Sequence, residues 1–264
     1  MISTQTLIAA TTLSITTVVI STAAYADPTP INLSTWTDES SHQFSNWQVS
    51  DDGSSVLQVV NGHPTFFVSP DEFIDTTITG TLRVEDTIDN DYIGFVFGYQ
   101  SPLAANNDPV DDYNFLLFDW KKSGGDGRDE GFSLIRVNGL FPTVEDLTES
   151  FWQRQESAKF DIFATNYGED KGWEAQTDHD FSLLYQTDRI KIDIDGETIF
   201  DISGEFESGH FGFYNNSQAN VRYSSFTQEE TPPEKVPEPP SMLSLALLGL
   251  AGLGKLATRK RKDT

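Results

Sequence analysis

Nine short runs rich in aromatic and β-branched residues recur along this chain, with a period of two in the clearest of them, and that pattern narrows its fold more than any other feature. In TTITGTLRVED (76–86), Ile78, Leu82 and Val84 point to one side. In DYIGFVFGYQ (91–100), Ile93, Phe95, Phe97 and Tyr99 do the same. NFLLFDWKK (114–122) and GFSLIRVNG (131–139) follow, joined by the Gly/Asp loop SGGDGRDE; then come FSLLYQ, RIKIDID, ETIFDIS, GHFGFYN and NVRYSSF. A period of two gathers one set of side chains on one face of a strand, so each run demands a surface to cover it. Two antiparallel sheets packed face to face supply that surface. Asp195 and Gly196, between two such runs, are a hairpin signal, because the tightest hairpin turns need residues that tolerate positive φ. Thr143 with Asp146 resembles a capping box ahead of Leu147 and Phe151, whose spacing of four predicts one short helix. The expectation is an all-β, antiparallel jelly-roll sandwich with a single minor helix and no internal repeat.

The two ends depart from this pattern. Residues 1–26 hold no Lys, Arg, Asp or Glu, and an apolar run with threonines over 7–20 leads to Ala24, Tyr25 and Ala26 before Asp27. A small-x-small triplet of this kind is a signal-peptidase site, so residues 1–26 are read as a removable signal peptide. The alternative, an N-terminal membrane anchor, needs roughly 20 apolar residues. At the other end Val236, Pro237, Glu238 and Pro239 precede an apolar run over 242–253, and Arg259, Lys260, Arg261 and Lys262 follow it. These three parts, in this order, resemble the PEP-CTERM sorting signal of Gram-negative and related bacteria. The resemblance implies that an exosortase-type enzyme cuts at or near the motif and releases or transfers the protein. As a hydrophobic helix, 242–258 spans roughly 25 Å, slightly less than a ~30 Å hydrocarbon core. Lys255 must snorkel, and the basic tail stays cytoplasmic, which places the rest of the chain across the membrane. A tail anchor that is never removed has the same physics.

Between the ends lies one domain, 27–226, followed by a Pro/Glu-rich linker at 227–240 and the sorting segment at 241–264. The linker carries five prolines and four glutamates, a composition that favours an extended tether. About 200 residues suit one large sandwich and can bury a real core without disulfides. The chain has no cysteine, which excludes thiol catalysis and Cys-based metal centres. Residues 27–228 hold 36 acidic and 11 basic residues, a net charge of −25. Such a domain repels nucleic acid and anionic lipid, and it attracts divalent cations.

DNDYIGFVFGYQ, then a strand ending in WKK, then GFSLIRV, a short helix before FW, KGW, and the run to FGFYNNSQANVRYSSF resemble the C-terminal domain of thrombospondins. The likeness covers residues 45–226. It implies a calcium-binding jelly roll related to L-type lectins and the concanavalin-like class. Three departures stand out. The loop SPLAANNDPVDDYN is longer than the family's, Asp119 occupies an apolar strand position, and the calcium-wire and EGF-like modules of thrombospondins are absent.

Asp89, Asn90 and Asp91 offer hard oxygen ligands on a turn just before a strand, and Asp108, Asp111 and Asp112 cluster in the next loop. Calcium takes six to eight such oxygens. The metal candidates are therefore Asp89, Asn90, Asp91, Asp111 and Asp112, with Asp126, Asp129 and Glu130 as a weaker set. Catalytic signals are few. His42, His63, His179 and His210 are scattered. Asp193 and Asp195 share a strand face in KIDIDGE, as the carboxylates of a glycosidase would. Lys191 on that face and the turn at Asp195 favour a solvated structural role instead. The five tryptophans cannot be sorted into core and sugar-stacking surface on this basis. The reading is an exported, non-enzymatic, calcium-binding adhesion or extracellular-matrix module, with extracellular polysaccharide or matrix components as partners. The alternatives are an exopolysaccharide-binding lectin and a concanavalin-fold carbohydrate-active enzyme.

Overall fold

The structure, a computed structural model, describes residues 27–40, 45–100, 111–124 and 129–231. The expected signal peptide (1–26) and hydrophobic sorting segment (241–264) lie outside these residues, and no described helix is long and apolar enough to cross a membrane.

Two antiparallel sheets form the sandwich. The first runs β13 (Glu197–Ser203), β12 (Arg189–Ile194), β11 (His179–Tyr185), β6 (Thr76–Val84), β15 (Val221–Glu230), β4 (Ser55–Gln58) and β3 (Trp47–Val49). The two-residue β1 (Thr29–Pro30) also pairs with β15. The second sheet runs β10 (Phe160–Tyr167), β9 (Gly131–Phe141), β8 (Asp111–Lys121), β7 (Tyr92–Tyr99), β14 (Gly209–Asn216), β5 (Thr65–Phe73) and β2 (Thr37–Asp38). One helix, α1 (Val144–Gln153), lies on the outer face of the second sheet. The expected all-β sandwich with one short α-helix is what the described residues form.

Alternation explains the core between the sheets. In β6, Ile78, Gly80, Leu82 and Val84 turn inward and the residues between them face solvent. Phe95, Phe118, Phe181 and Phe211 meet at the centre, with the Phe95 ring 4.7 Å from Phe118 and 4.9 Å from Phe181. Phe181 lies opposite Gly80 in register, and a Cβ on Gly80 would fall 2.6 Å from its ring. Gly80 therefore vacates the volume that Phe181 fills. Burying each such ring is worth about 1.5–3 kcal/mol.

A second apolar cluster joins the outer face of the second sheet to α1. Tyr92, Val96, Tyr113, Phe115, Leu117 and Ile135 from the sheet pack against Leu147 and Phe151 of the helix. The helix starts where the capping box placed it, because Thr143 Oγ1 accepts the Asp146 N–H at 3.1 Å. It ends at Arg154, which takes the left-handed conformation (φ 47°, ψ 45°). The Asp195–Gly196 turn also forms as expected, both residues having positive φ (52° and 79°).

The structure corrects the strand reading at several points. Tyr99 does not share the face of Ile93, Phe95 and Phe97; it belongs to the helix-side cluster. Gly98 has φ 61° and inserts a bulge opposite Phe211, which reverses the side-chain order beyond it. Strands β5 and β10 have no clean alternation of burial. In β5, Pro70 lies within a bulge at which the pairing with β14 shifts register, a place where its missing N–H is tolerated. The linker begins later than expected, because after a bulge at Ser225 (φ 56°) strand β15 continues pairing with β6 through Glu230.

Candidate functional site

The connection from β6 to β7 carries Asp89, Asn90 and Asp91, and the structure holds them in a tight polar turn. The Asp89 carboxylate accepts the side-chain amide of Asn61 and, at 2.9 Å, the backbone N–H of Asn90. Asn90 donates its side-chain amide to Ser123 Oγ at 2.8 Å. Asp91 is fastened from three sides: its N–H donates to Gln218 Oε1 at 3.1 Å, its carbonyl accepts from Trp173 Nε1 at 3.0 Å, and its Oδ1 accepts from Lys121 Nζ at 2.8 Å. Burial pushes the Asp89 carboxyl above its ordinary range, and the neighbouring Asp91 and Asp86 carboxyls add to the effect. A turn that crowds carboxyls in this way suits a hard cation.

One cation is already built in. The Lys121 ammonium, with its side chain 3% exposed, donates to the Asn90 carbonyl (3.2 Å) as well as to Asp91. It also lies 4.8 Å from the Tyr92 ring centroid and 5.3 Å from that of Trp152. A carboxylate oxygen and a backbone carbonyl, both of them calcium-type ligands, are thus engaged by a side chain. Both oxygens of Asp89 also accept hydrogen bonds, so a metal at this turn would use their further lone pairs, the second oxygen of Asp91 and nearby amide oxygens. Among the described residues no three His, Asp or Glu side chains gather on one point that could hold a metal ion.

Asp111 and Asp112 do not join this turn. They open β8, whereas Lys121 closes it beside Tyr92, so the strand separates them from Asp91 by roughly 30 Å at ~3.4 Å per residue. Their side chains, like Asp108 and Asp126, lie outside what the structure describes. Of the weaker set, Asp129 gives its backbone carbonyl to Arg154 and Glu130 accepts backbone N–H groups of Lys171 and Gly124. These contacts brace a loop.

The most deeply buried ion pair among the described residues joins Arg154 to Asp119, the charge that interrupts the apolar pattern of its strand. Asp119 is fully buried on the outer face of β8, in line with Phe115 and Leu117. Its Oδ1 accepts from Arg154 Nη1 at 3.0 Å and from the Ser133 hydroxyl. The Arg154 guanidinium also donates to the Asp129 carbonyl at 2.7 Å and lies over the rings of Tyr92 (4.6 Å) and Tyr167 (5.0 Å). Burial opposes the charge on Arg154, but Asp119 and the two tyrosines outweigh it and hold the guanidinium protonated above its ordinary value. The pair clamps the end of α1 to the sheet. Asp119 carried a signal, a charge where alternation calls for an apolar residue; nothing in the sequence pointed to Arg154 as its partner.

The carboxylates of KIDIDGE have structural duties. Asp193 accepts from Lys191 Nζ at 2.8 Å and from Thr198 Oγ1 at 2.6 Å. Asp195 accepts the Asp180 N–H and contacts His179 Nδ1, each at 2.8 Å. His179 Nε2 accepts the Glu174 N–H at 3.1 Å, so the ring carries its proton on Nδ1 toward Asp195 and has no free nitrogen for base chemistry. Trp36, Trp120 and Trp173 are core residues, and Trp47 and Trp152 pack partly buried against the two clusters.

Comparison with known proteins matches residues 42–230 to the family described as "Thrombospondin C-terminal region" and residues 235–262 to the "PEP-CTERM protein-sorting motif". Thrombospondin-2 of Gallus gallus is 27% identical over 201 residues, covering 70% of this chain and 16% of that protein. Thrombospondin-4 of Bos taurus is 23% identical over 212 residues, covering 73% and 21%. This chain therefore corresponds to a small part of the length of these relatives. Among solved structures, the carbohydrate binding module CBM66 from Bacillus subtilis superposes with TM-score 0.49 at 14% identity, covering 74% of this chain and 95% of that one. The VIP36 exoplasmic/lumenal domain in its Ca2+/Man-bound form gives 0.49 at 10% identity, covering 77% and 85%.

Proposed function

Since this chain belongs to the thrombospondin C-terminal family, we propose that it is an exported, non-enzymatic adhesion or extracellular-matrix module that binds calcium at the Asp89–Asp91 turn. The observation that carries this reading is the succession of a family domain ending at residue 230 and a sorting motif beginning at 235. A binding domain followed directly by a delivery signal describes a protein made for display outside the inner membrane. Its processing partner is an exosortase-type enzyme, and its ligands are extracellular polysaccharide or matrix components. The non-enzymatic part rests on Asp193 and Asp195, whose oxygens are engaged by Lys191 and Thr198 and by His179 and Asp180. A carbohydrate-active enzyme would need one of them free and raised in pKa as a general acid.

Processing is tested by the intact mass of the protein from its native host. The mature chain should begin at Asp27 and lack the segment that follows Val236–Pro239. A mass that retains residues 242–264 would favour a permanent tail anchor.

Calcium is tested by thermal melts in calcium and in chelator, comparing the wild type with Asp89→Asn. At a hundredfold excess over its dissociation constant, calcium bound only by the folded state adds about 2.7 kcal/mol. The variant should lose that response, and its chelator melt should match or exceed the wild type's. The sign follows from the raised Asp89 carboxyl. Ionising it costs the metal-free fold stability above the raised pKa, and the cost vanishes as pH falls through that value toward the ordinary one. A neutral amide never incurs it. Equal melts of the wild type in calcium and chelator would remove the metal from this reading.

A further inference from the structure

We propose that the cleft between the free ends of β8 and β9 and the β13–β14 connection binds a neutral oligosaccharide, a site that deepens the lectin alternative to the adhesion module. Even-numbered residues of β8 and β9, such as Phe118 and Leu134, face the inter-sheet core. Further along the same faces the residues change character: Asn114, Arg136 and Asn138 are polar, and both asparagines are exposed. Inward positions of a sandwich are ordinarily apolar, so three polar side chains in succession mark a surface that meets something other than the opposite sheet. With Glu205 and Glu207 on the facing connection they line a cleft of about 350 Å³ floored by Leu116 and Phe206, a size within the roughly 300–1,000 Å³ range of small-ligand sites.

Tyr185 and Gln100 donate to the backbone carbonyls of Glu207 and Ser208, but Asn114, Arg136 and Asn138 are not occupied with one another or with the two glutamates. Among the described residues seven bases (Arg83, Lys121, Arg154, Lys159, Arg189, Lys191 and Arg222) pair with a carboxylate. Arg136 has no such partner; its guanidinium rests 4.9 Å over the Phe163 ring, which orients it while leaving its donors open. No hydrogen bond from the Asn114 or Asn138 side chain to another described residue is present. Amides donate and accept, guanidinium only donates and carboxylate only accepts. Together they complement neighbouring hydroxyls, each of which also donates and accepts, while the apolar floor suits the C–H face of a sugar ring. The two glutamates and the −25 charge of residues 27–228 disfavour a polyanion.

The test is binding of the full chain in mild detergent to immobilised short neutral oligosaccharides, beside uronate-bearing and sulfated ones. A neutral glycan should bind, and Asn114→Ala/Asn138→Ala should weaken it at least about tenfold through two lost hydrogen bonds without moving the melt. Arg136→Lys should weaken it less than the double substitution. Glycan binding that survives the double substitution would overturn the cleft while leaving the lectin reading intact. No binding to any glycan would overturn both, and binding confined to acidic glycans would overturn the assignment of ligand. The calcium melts are independent of all three outcomes.

Discussion

Asp119→Ala should lower the unfolding free energy by about 3–5 kcal/mol, because it leaves the Arg154 guanidinium buried without its counter-charge. Asp119 is fully buried and Arg154 is 6% exposed, so water cannot compensate. A domain whose total stability is about 5–15 kcal/mol would lose a large fraction of it. Arg154→Met should cost a similar amount, since it leaves the Asp119 carboxylate uncompensated beneath the helix. Asp119→Leu with Arg154→Met should cost less than either single change, because apolar replacements remove both desolvation penalties together. Urea denaturation of the wild type, Asp119→Leu, Arg154→Met and their double variant gives the coupling directly. Additive losses would mean that the two charges do not act as a pair, and that α1 is held by Leu147 and Phe151 alone.

The second large effect concerns Asp91 and Lys121. Asp91→Ala should cost about 3–5 kcal/mol whether calcium is present or not, since the buried ammonium of Lys121 loses its carboxylate. A fall in stability in that variant is therefore not evidence for a bound metal. Lys121→Met is the informative counterpart. Methionine keeps an unbranched stem between Tyr92 and Trp152 but removes the built-in cation, which leaves Asp91 beside Asp89 with no positive charge. The loss should be greatest in chelator and should shrink when calcium is added. Calcium melts of Lys121→Met that coincide with its chelator melts would show that the turn takes no metal even when its own cation is gone.

Both predictions depend on contacts that the sequence displays unevenly. The period of two in β6 and in the first half of β7 was readable because their inward residues all meet one apolar core. The capping box at Thr143 and the hairpin at Asp195–Gly196 were readable because both are local: a side chain satisfies a backbone group three residues away, and a turn needs particular φ values at two adjacent positions. Tyr99 was misplaced because the bulge at Gly98 changes the face of every residue beyond it, and a glycine in a strand does not announce whether it bulges. β7 itself is buried on both faces, by the opposite sheet and by α1. Beyond Gly98 its partition between the two clusters therefore cannot be derived from polarity.

The site shows the same division. Asp89, Asn90 and Asp91 are adjacent in sequence, so their placement on one turn followed from their spacing. Asp111 and Asp112 looked equivalent, but strand direction carries them to the opposite end of the sheet. Lys121 lies 30 positions from Asp91 and Arg154 lies 35 from Asp119. The sequence alone thus determined an exported acidic sandwich with a terminal sorting motif, because strand period, turn chemistry and signal composition are all local properties of the chain. Which charges are paired, which carboxylates crowd together and which polar side chains are left open in a cleft were decided only by the tertiary structure. Those relations depend on the register between strands distant in sequence and on the side of the sheet that α1 covers.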